Sequence, residues 1–229
     1  MMKLASLFSG GKDSTYAIYL AKKRGFSIEC LITLYPSNEE SLLFHFPNTG
    51  VPKLQAQAMN IPIIEGNIPI NNLDDEIKSL DHLVKIAKAE YKIEGLINGG
   101  LFSNFQKNIF NNISKDNNLI LYSPLWGADQ FSYMKELLIH KFFILIVGVS
   151  AMGLDEAWLG TIIDQDKLEK LFLLSKKYGF NVAFEGGEAE TLVIDCPIYE
   201  KRLQILNSTT KWDGQRGILE ITDIVLMDK

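Results

Sequence analysis

Two short stretches gather the residue types that chemistry needs. The first, Ser9-Gly10-Gly11-Lys12-Asp13-Ser14, lies between the apolar residues 4–8 and a helical pattern over 14–24 that Gly25 ends. Two glycines let the chain turn sharply and bring backbone N–H groups close to a ligand. The helix behind them adds unsatisfied N–H groups and about half a positive charge at its N-terminus. With the mobile charge of Lys12 and the hydroxyls of Ser9 and Ser14, this is the chemistry of a phosphate cradle. It is not the G-x-x-x-x-G-K-[ST] cradle, because Ser6 stands where the first glycine belongs and Asp13 follows the lysine.

The second stretch, Glu185-Gly186-Gly187-Glu188-Ala189-Glu190-Thr191, packs three carboxylates around a glycine pair. Neighbouring negative charges repel, so a plain turn explains it poorly. Such a cluster can hold Mg²⁺, accept hydrogen bonds from an amine or attract a cationic substrate; a solvated acidic loop is the bland alternative. A further pair, Gly99-Gly100, closes the apolar run 93–98 and is either a plain turn or another close approach of backbone to ligand. His45, between Phe44 and Phe46, follows the second strand, at the sheet end where open α/β folds bind ligands. Its aromatic neighbours equally suit packing.

The elements that position these residues alternate between strand and helix. Residues 4–8, 14–24 and 28–34 read as strand, helix and strand, a right-handed βαβ unit in a parallel sheet. A helix over 51–59 leads to a short strand at 61–64, where Pro62 suggests an edge or a strand entry. Residues 71–92 carry Ile77, Leu80, Leu83, Val84, Ala87 and Tyr91 at amphipathic spacing, with acidic residues early and lysines late to suit the helix dipole. A strand at 93–98, a helix at 105–115 and a strand at 119–122 follow.

This pattern predicts a phosphate-binding domain over residues 1–122 and a second, smaller α/β domain over 123–229, joined at Ser123-Pro124-Leu125-Trp126-Gly127. In the second domain the sequence predicts a helix over 130–141 and a strand over 142–149. A helix capped by Asp164 and stopped by Gly179 comes next, then a strand at 181–184 that delivers the acidic loop. Asp213-Gly214 signals a hairpin with arms 201–210 and 217–227.

At 229 residues, 47% hydrophobic and 22% charged, the chain can bury a full core. A net charge of -5 leaves no footprint for general nucleic-acid binding and favours small or protein substrates. Cys30 and Cys196 form neither a C-x-x-C pair nor a metal spacing, which suits reduced thiols in a cytoplasmic protein. The opening residues lack a signal-peptide layout, and the longest later apolar run, 142–149, is too short to span a bilayer, so no membrane role is expected. Oligomeric state stays open, a homo-oligomer included.

Taken together, SGGKDS at 9–14, SPLWG at 123–127, GLDEAWLG at 153–160 and EGGEAETLVIDCPIYEKR at 185–202 resemble the diphthine–ammonia ligase family of N-type ATP pyrophosphatases, within the PP-loop superfamily. The resemblance implies a HUP-type parallel sheet flanked by helices, followed by a smaller α/β domain, with the substrate groove between them. It implies amidation of diphthine on translation elongation factor 2 by ammonium, with ATP and Mg²⁺, giving diphthamide, AMP and pyrophosphate through an acyl-adenylate. Carried onto this chain, Ser9, Gly10, Gly11, Lys12, Asp13, Ser14, Gly99 and Gly100 would hold the nucleotide, with Asp13 nearest to a metal. Lys12, Asp13 and Glu188 would serve catalysis. Gln106, Trp126, Glu185, Gly186, Gly187, Glu188, Glu190 and Thr191 would meet the acceptor, whose quaternary ammonium suits carboxylates and the faces of Trp126 or Trp158. Two positions depart from the family pattern: the basic segment after Gln106 thins to Lys107, and Ala189 replaces an aromatic residue. A tRNA-modifying, thiolase-like ATP pyrophosphatase shares the loop but calls for a basic surface and a nucleophilic cysteine. A non-catalytic ATP sensor shares it without releasing pyrophosphate.

Overall fold

A computed structural model describes residues 1–35, 50–68 and 72–229, so His45 lies outside the described residues. Strands β1 (Lys3–Leu7), β2 (Ser27–Tyr35), β3 (Ile63–Asn67), β4 (Gly95–Ile97) and β5 (Ile120–Tyr122) form one sheet in the order β3-β2-β1-β4-β5. All its pairings are parallel, as the βαβ spacing predicts. Helices α1 (Lys12–Lys23), α2 (Val51–Met59), α3 (Leu73–Tyr91) and α4 (Asn104–Asp116) connect the strands. Pro62 stands just before β3, which is an edge strand, where its missing N–H costs no ladder bond.

Side chains alternate across a strand, and β1 buries both faces. Leu4 and Phe8 join a core with Tyr16, Ile18 and Ala21 of α1 and Ala56 and Met59 of α2. Ala5 and Leu7 face the opposite core, with Leu80, Leu83 and Val84 of α3 and Phe110 and Ile113 of α4. Burial on both sides is why the strand reads as a continuous apolar run. Because β1 pairs with β2 on one side and β4 on the other, the connections diverge there and leave a crevice at the strands' carboxyl ends. Gly99 and Gly100 line it, and Gly11 lines the adjoining cavity beside Lys12.

A second, smaller sheet is antiparallel: β6 (Phe143–Val149), β7 (Ala189–Asp195), β8 (Lys201–Trp212) and β9 (Gly217–Asp228), in the order β7-β6-β9-β8. Helices α5 (Gln130–Ile139) and α6 (Gln165–Tyr178) accompany it. Asp164 accepts the Lys167 N–H at 2.9 Å and Gly179 takes φ +80°, the start and stop that the sequence signals. The β8–β9 hairpin turns at Asp213, whose carboxylate accepts the N–H groups of Gln215 and Arg216 at 2.8 and 2.7 Å.

The strand expected at 181–184 does not form. These residues make turns, and Phe184 has φ +61°. The N–H groups that a ladder would use are taken locally: Asn181 donates to Glu188, Val182 to Gln130 and Ala183 to the Asn181 side chain. The acidic loop instead enters β7 directly.

The core that holds α1 and α2 continues through Ile144 and Ile146 of β6 and Leu192 and Val193 of β7. The second sheet therefore packs on the same face of the parallel sheet as α1 and α2. Among the described residues no helix is long and apolar enough to cross a membrane.

Candidate functional site

The loop between β1 and α1 is shaped by hydrogen bonds within it and by β7. Gly10 adopts φ +73°, and its carbonyl accepts the Val193 N–H at 3.1 Å. Gln55 of α2, fully buried, donates Nε2 to the carbonyls of Gly10 at 2.8 Å and Val193 at 2.9 Å. The hydroxyls of Ser9 and Ser14 lie 3.1 Å apart, and Ser14 Oγ accepts the Ser9 N–H at 3.2 Å. Thr191 Oγ1 accepts the Lys12 N–H at 3.3 Å. These contacts brace the loop without filling the space in front of it.

Helices α3, α4, α5 and α6 are closed at their N-termini by Asn72, Ser103, Asp129 and Asp164 side chains. Helix α1, like α2, is not: its N-cap is a glycine with no side chain of its own to close the end, and Thr191 of β7 reaches its first N–H at a long 3.3 Å. The positive end of its dipole faces the crevice, which is the arrangement that favours an anion. Lys12, only 2% exposed, places Nζ 2.9 Å from Asp13 Oδ2 and 5.4 Å from the centre of the Phe184 ring. Its charge is thus held against the loop.

Asp13 is engaged on both oxygens, by Lys12 and by the Tyr133 hydroxyl, which donates to Oδ1 at 2.6 Å. Burial and the Asp13 charge push the Tyr133 phenol well above its usual value, so it remains a neutral donor. A metal would have to displace one of these partners. Among the described residues no group of three His, Cys, Asp or Glu has metal-binding geometry. This donor set suits an ion that arrives on phosphate oxygens, as Mg²⁺ does, better than a resident one.

The two glycines of the second pair differ in purpose. A Cβ on Gly99 would lie 2.5 Å from the carbonyl carbon of Asp13 and 2.7 Å from the Ser14 nitrogen. The close approach is to the backbone of α1, which seats the helix on β4. Gly100 has room, its N–H donating to Asn98 Oδ1 at 2.9 Å. Ser9, Asp13, Ser14, Asn98, Gly99, Gly100, Gln106, Phe184, Glu185, Gly186, Gly187 and Glu190 line one continuous cleft of about 470 Å³. The sequence-predicted phosphate loop and acidic loop are its opposite walls.

Within the acidic loop the three glutamates have different employment. Glu185 Oε1 accepts the N–H groups of Leu101, Phe102 and Ser103 at 3.1, 3.0 and 3.3 Å, clamping the segment that leads into α4. Glu188 accepts the Asn181 N–H at 2.9 Å and the Gly186 N–H at 2.8 Å, folding its own loop. Glu190 has no hydrogen bond of this kind; burial pushes its pKa up to about 7, with Lys12 opposing and Asp13 adding to the shift. The roles expected of Glu188 are thus better matched by the geometry of Glu190.

Trp126 and Trp158 do not line this cleft. Lys107 Nζ sits 3.6 Å from the centre of the Trp126 ring, and Trp158 is buried in the core with Lys170 over it. Sequence reasoning missed Gln55, Asn98 and Tyr133. A glutamine on the apolar face of α2 and an asparagine directly before a glycine pair were the available signals for the first two. Cys30 and Cys196 are free, buried thiols pushed up to about 12, chiefly by burial, and offer no thiolate at neutral pH.

A parallel sheet with a loop of two glycines, two serines and a lysine at its switch point has the layout of a phosphate-binding α/β fold. Residues 2–120 match the family described as diphthamide synthase N-terminal domain, and residues 129–227 match the diphthamide synthase C-terminal domain. The chain is 32% identical over 225 residues to the diphthine–ammonia ligase of Homo sapiens, covering 90% of this chain and 84% of that protein. The enzymes of the same name from Bos taurus and Mus musculus are 32% and 31% identical, each over 226 residues, 90% of this chain and 84% of theirs. The chain belongs to the diphthamide synthase family, whose curated members are ligases.

Proposed function

We propose that this protein is the ATP-dependent ligase that converts diphthine on translation elongation factor 2 to diphthamide, using ammonium and releasing AMP and pyrophosphate. The observation that carries the reading is the uncapped N-terminus of α1, with Lys12 beside it, facing a cleft whose other wall is the acidic loop. ATP enters as its Mg²⁺ complex, a substrate. Residues Ser9 to Ser14 hold its β- and γ-phosphates. The acceptor carboxylate attacks the α-phosphorus, and the pyrophosphate that leaves carries the developing charge. N–H groups already oriented toward that charge, and Lys12 released from Asp13, stabilise the transition state more than the ground state.

Glu185 and Glu188 act in this reading as positioning residues, because their oxygens hold the loop that walls the cleft. Gln106 and Thr191 lie on the two sides where acceptor and nucleotide would meet. The test is to mix the protein with MgATP, ammonium and elongation factor 2 bearing diphthine. AMP formation should accompany the mass change of a hydroxyl replaced by an amino group on the acceptor. ATP binding without AMP under these conditions would reject the ligase in favour of a nucleotide sensor.

A further inference from the structure

Glu190 lines three cavities that meet at its side chain. One contains Lys12 and Gln55, one is the cleft with Asn98 and Gly99, and the third is a groove between β6 and the β8–β9 hairpin, bounded by Ser150, Lys211, Trp212 and Arg216. Gly148 of β6 stands opposite Glu190 in the strand register. A Cβ there would come within 3.0 Å of Glu190 Cβ and 3.2 Å of Cγ, so the bare glycine backbone seats the stem of this side chain. Its neighbours Glu185 and Glu188 are committed to backbone N–H groups, whereas the Glu190 carboxylate has no hydrogen-bond partner among the described residues.

We propose that Glu190 binds the ammonium ion where the hairpin groove opens into the cleft and removes one of its protons, acting as the general base of the amide-forming step. This rests on the ligase reading above. An ionised carboxylate accepts hydrogen bonds only, and ammonium supplies only donors, so an unengaged carboxylate at a cavity junction suits it. Facing Glu190 are Lys12 and Asp13 from α1, and Lys211, Asp213 and Arg216 across the groove. A pKa near 7 makes this group a stronger base than an ordinary glutamate while leaving about half of it ionised at neutral pH.

The step balances. An N–H bond of ammonium breaks and its proton joins a Glu190 oxygen. The freed nitrogen lone pair forms the C–N bond to the acyl carbon, and the bond from that carbon to the adenylate oxygen breaks, AMP leaving with the electron pair. A second proton leaves nitrogen as the amide forms and passes to water, as does the first when Glu190 reionises.

Hydroxylamine separates this role from others, because it is uncharged near neutral pH and needs no base to expose its lone pair. The full chain, MgATP and diphthine-bearing acceptor would be supplied with either ammonium or hydroxylamine. For Glu190→Gln the amide-forming rate with ammonium should fall about a hundredfold or more, while hydroxamate formation and the first-turnover burst of acceptor-dependent pyrophosphate change by no more than a few fold. The wild-type rate with ammonium should level off above about pH 7, whereas the variant's keeps rising as free ammonia accumulates. Gly148→Ala, which displaces the same carboxylate, should show the same selectivity at smaller amplitude and serves if Glu190→Gln does not fold. Equal losses with both nucleophiles would overturn the proposal. Absence of acceptor-dependent AMP in the wild type would instead reject the ligase reading itself.

Discussion

The carbonyl of Gly10 accepts the N–H of Val193 at 3.1 Å, so the phosphate loop of the parallel sheet is hydrogen bonded to the outer edge of the second sheet. An open edge strand needs a partner or a cover, and here β7 finds part of it in the loop it helps to shape. The same strand carries Glu190 to the cleft and Thr191 to the adjoining cavity beside Lys12. The two walls of the site therefore meet at this contact, beside the bond from the Lys12 N–H to Thr191.

Gln55 reinforces that contact, and its removal should be felt in both sheets. Gln55→Leu loses two buried hydrogen bonds, to Gly10 and Val193, although each carbonyl keeps another donor. The expected cost is about 2 kcal/mol, read by urea unfolding, with a raised KM for ATP. Unchanged stability together with unchanged KM would show that the bridge contributes nothing.

Lys12 is the full positive charge closest to the uncapped end of α1. Lys12→Ala should slow pyrophosphate release roughly a hundredfold or more, as losing one such transition-state donor costs about 3 to 4 kcal/mol. Single-turnover assays at saturating ATP would measure it. Near-normal turnover removes Lys12 from the mechanism.

Gly99 and Gly100 should respond in opposite ways to the same substitution. Gly99→Ala drives a Cβ to 2.6 Å from the Asp13 carbonyl oxygen, where only movement of α1 relieves the clash. It should lose about 1 to 3 kcal/mol and much of its nucleotide affinity. Gly100→Ala meets nothing closer than Asn98 Oδ1 at 3.4 Å and should stay within about 0.5 kcal/mol of the parent. Thermal melts with and without ATP would compare them.

Glu190 makes stability depend on pH in a definite direction. Its folded-state value of about 7 lies above the ordinary 4.5, so between these values the folded chain binds more protons than the unfolded one. Stability then falls as pH rises through that window. Glu190→Gln removes the penalty: it should match the parent below about pH 4.5 and exceed it by about 3 kcal/mol above pH 7. Denaturation curves at the two extremes decide the matter, and a gap that does not change with pH would count against a buried, ionisable Glu190.

Much of this arrangement was legible before any coordinates. Turn chemistry, helix caps and periodicity are local, so SGGKDS, the Asp164 cap, the stop at Gly179 and the Asp213-Gly214 hairpin could be read from neighbouring residues. The resemblance across residues 9–202 supplied the family. Local reading failed at 181–184, where an apolar β-rich run became turns because Glu188 and Gln130 took its N–H groups.

Sequence alone determined which residue types were present: a phosphate loop, a triad of glutamates and a parallel α/β alternation. It did not determine which glutamate was left free. Glu185, Glu188 and Glu190 are chemically identical in a linear chain, and only folding brought N–H groups to the first two and an open cavity junction to the third. The same is true of Gly99, whose need for a missing Cβ arises from the backbone of α1, distant in sequence and adjacent in space. Hydrogen-bond partners and steric neighbours are long-range properties, and they decided what each residue of the motif is available to do.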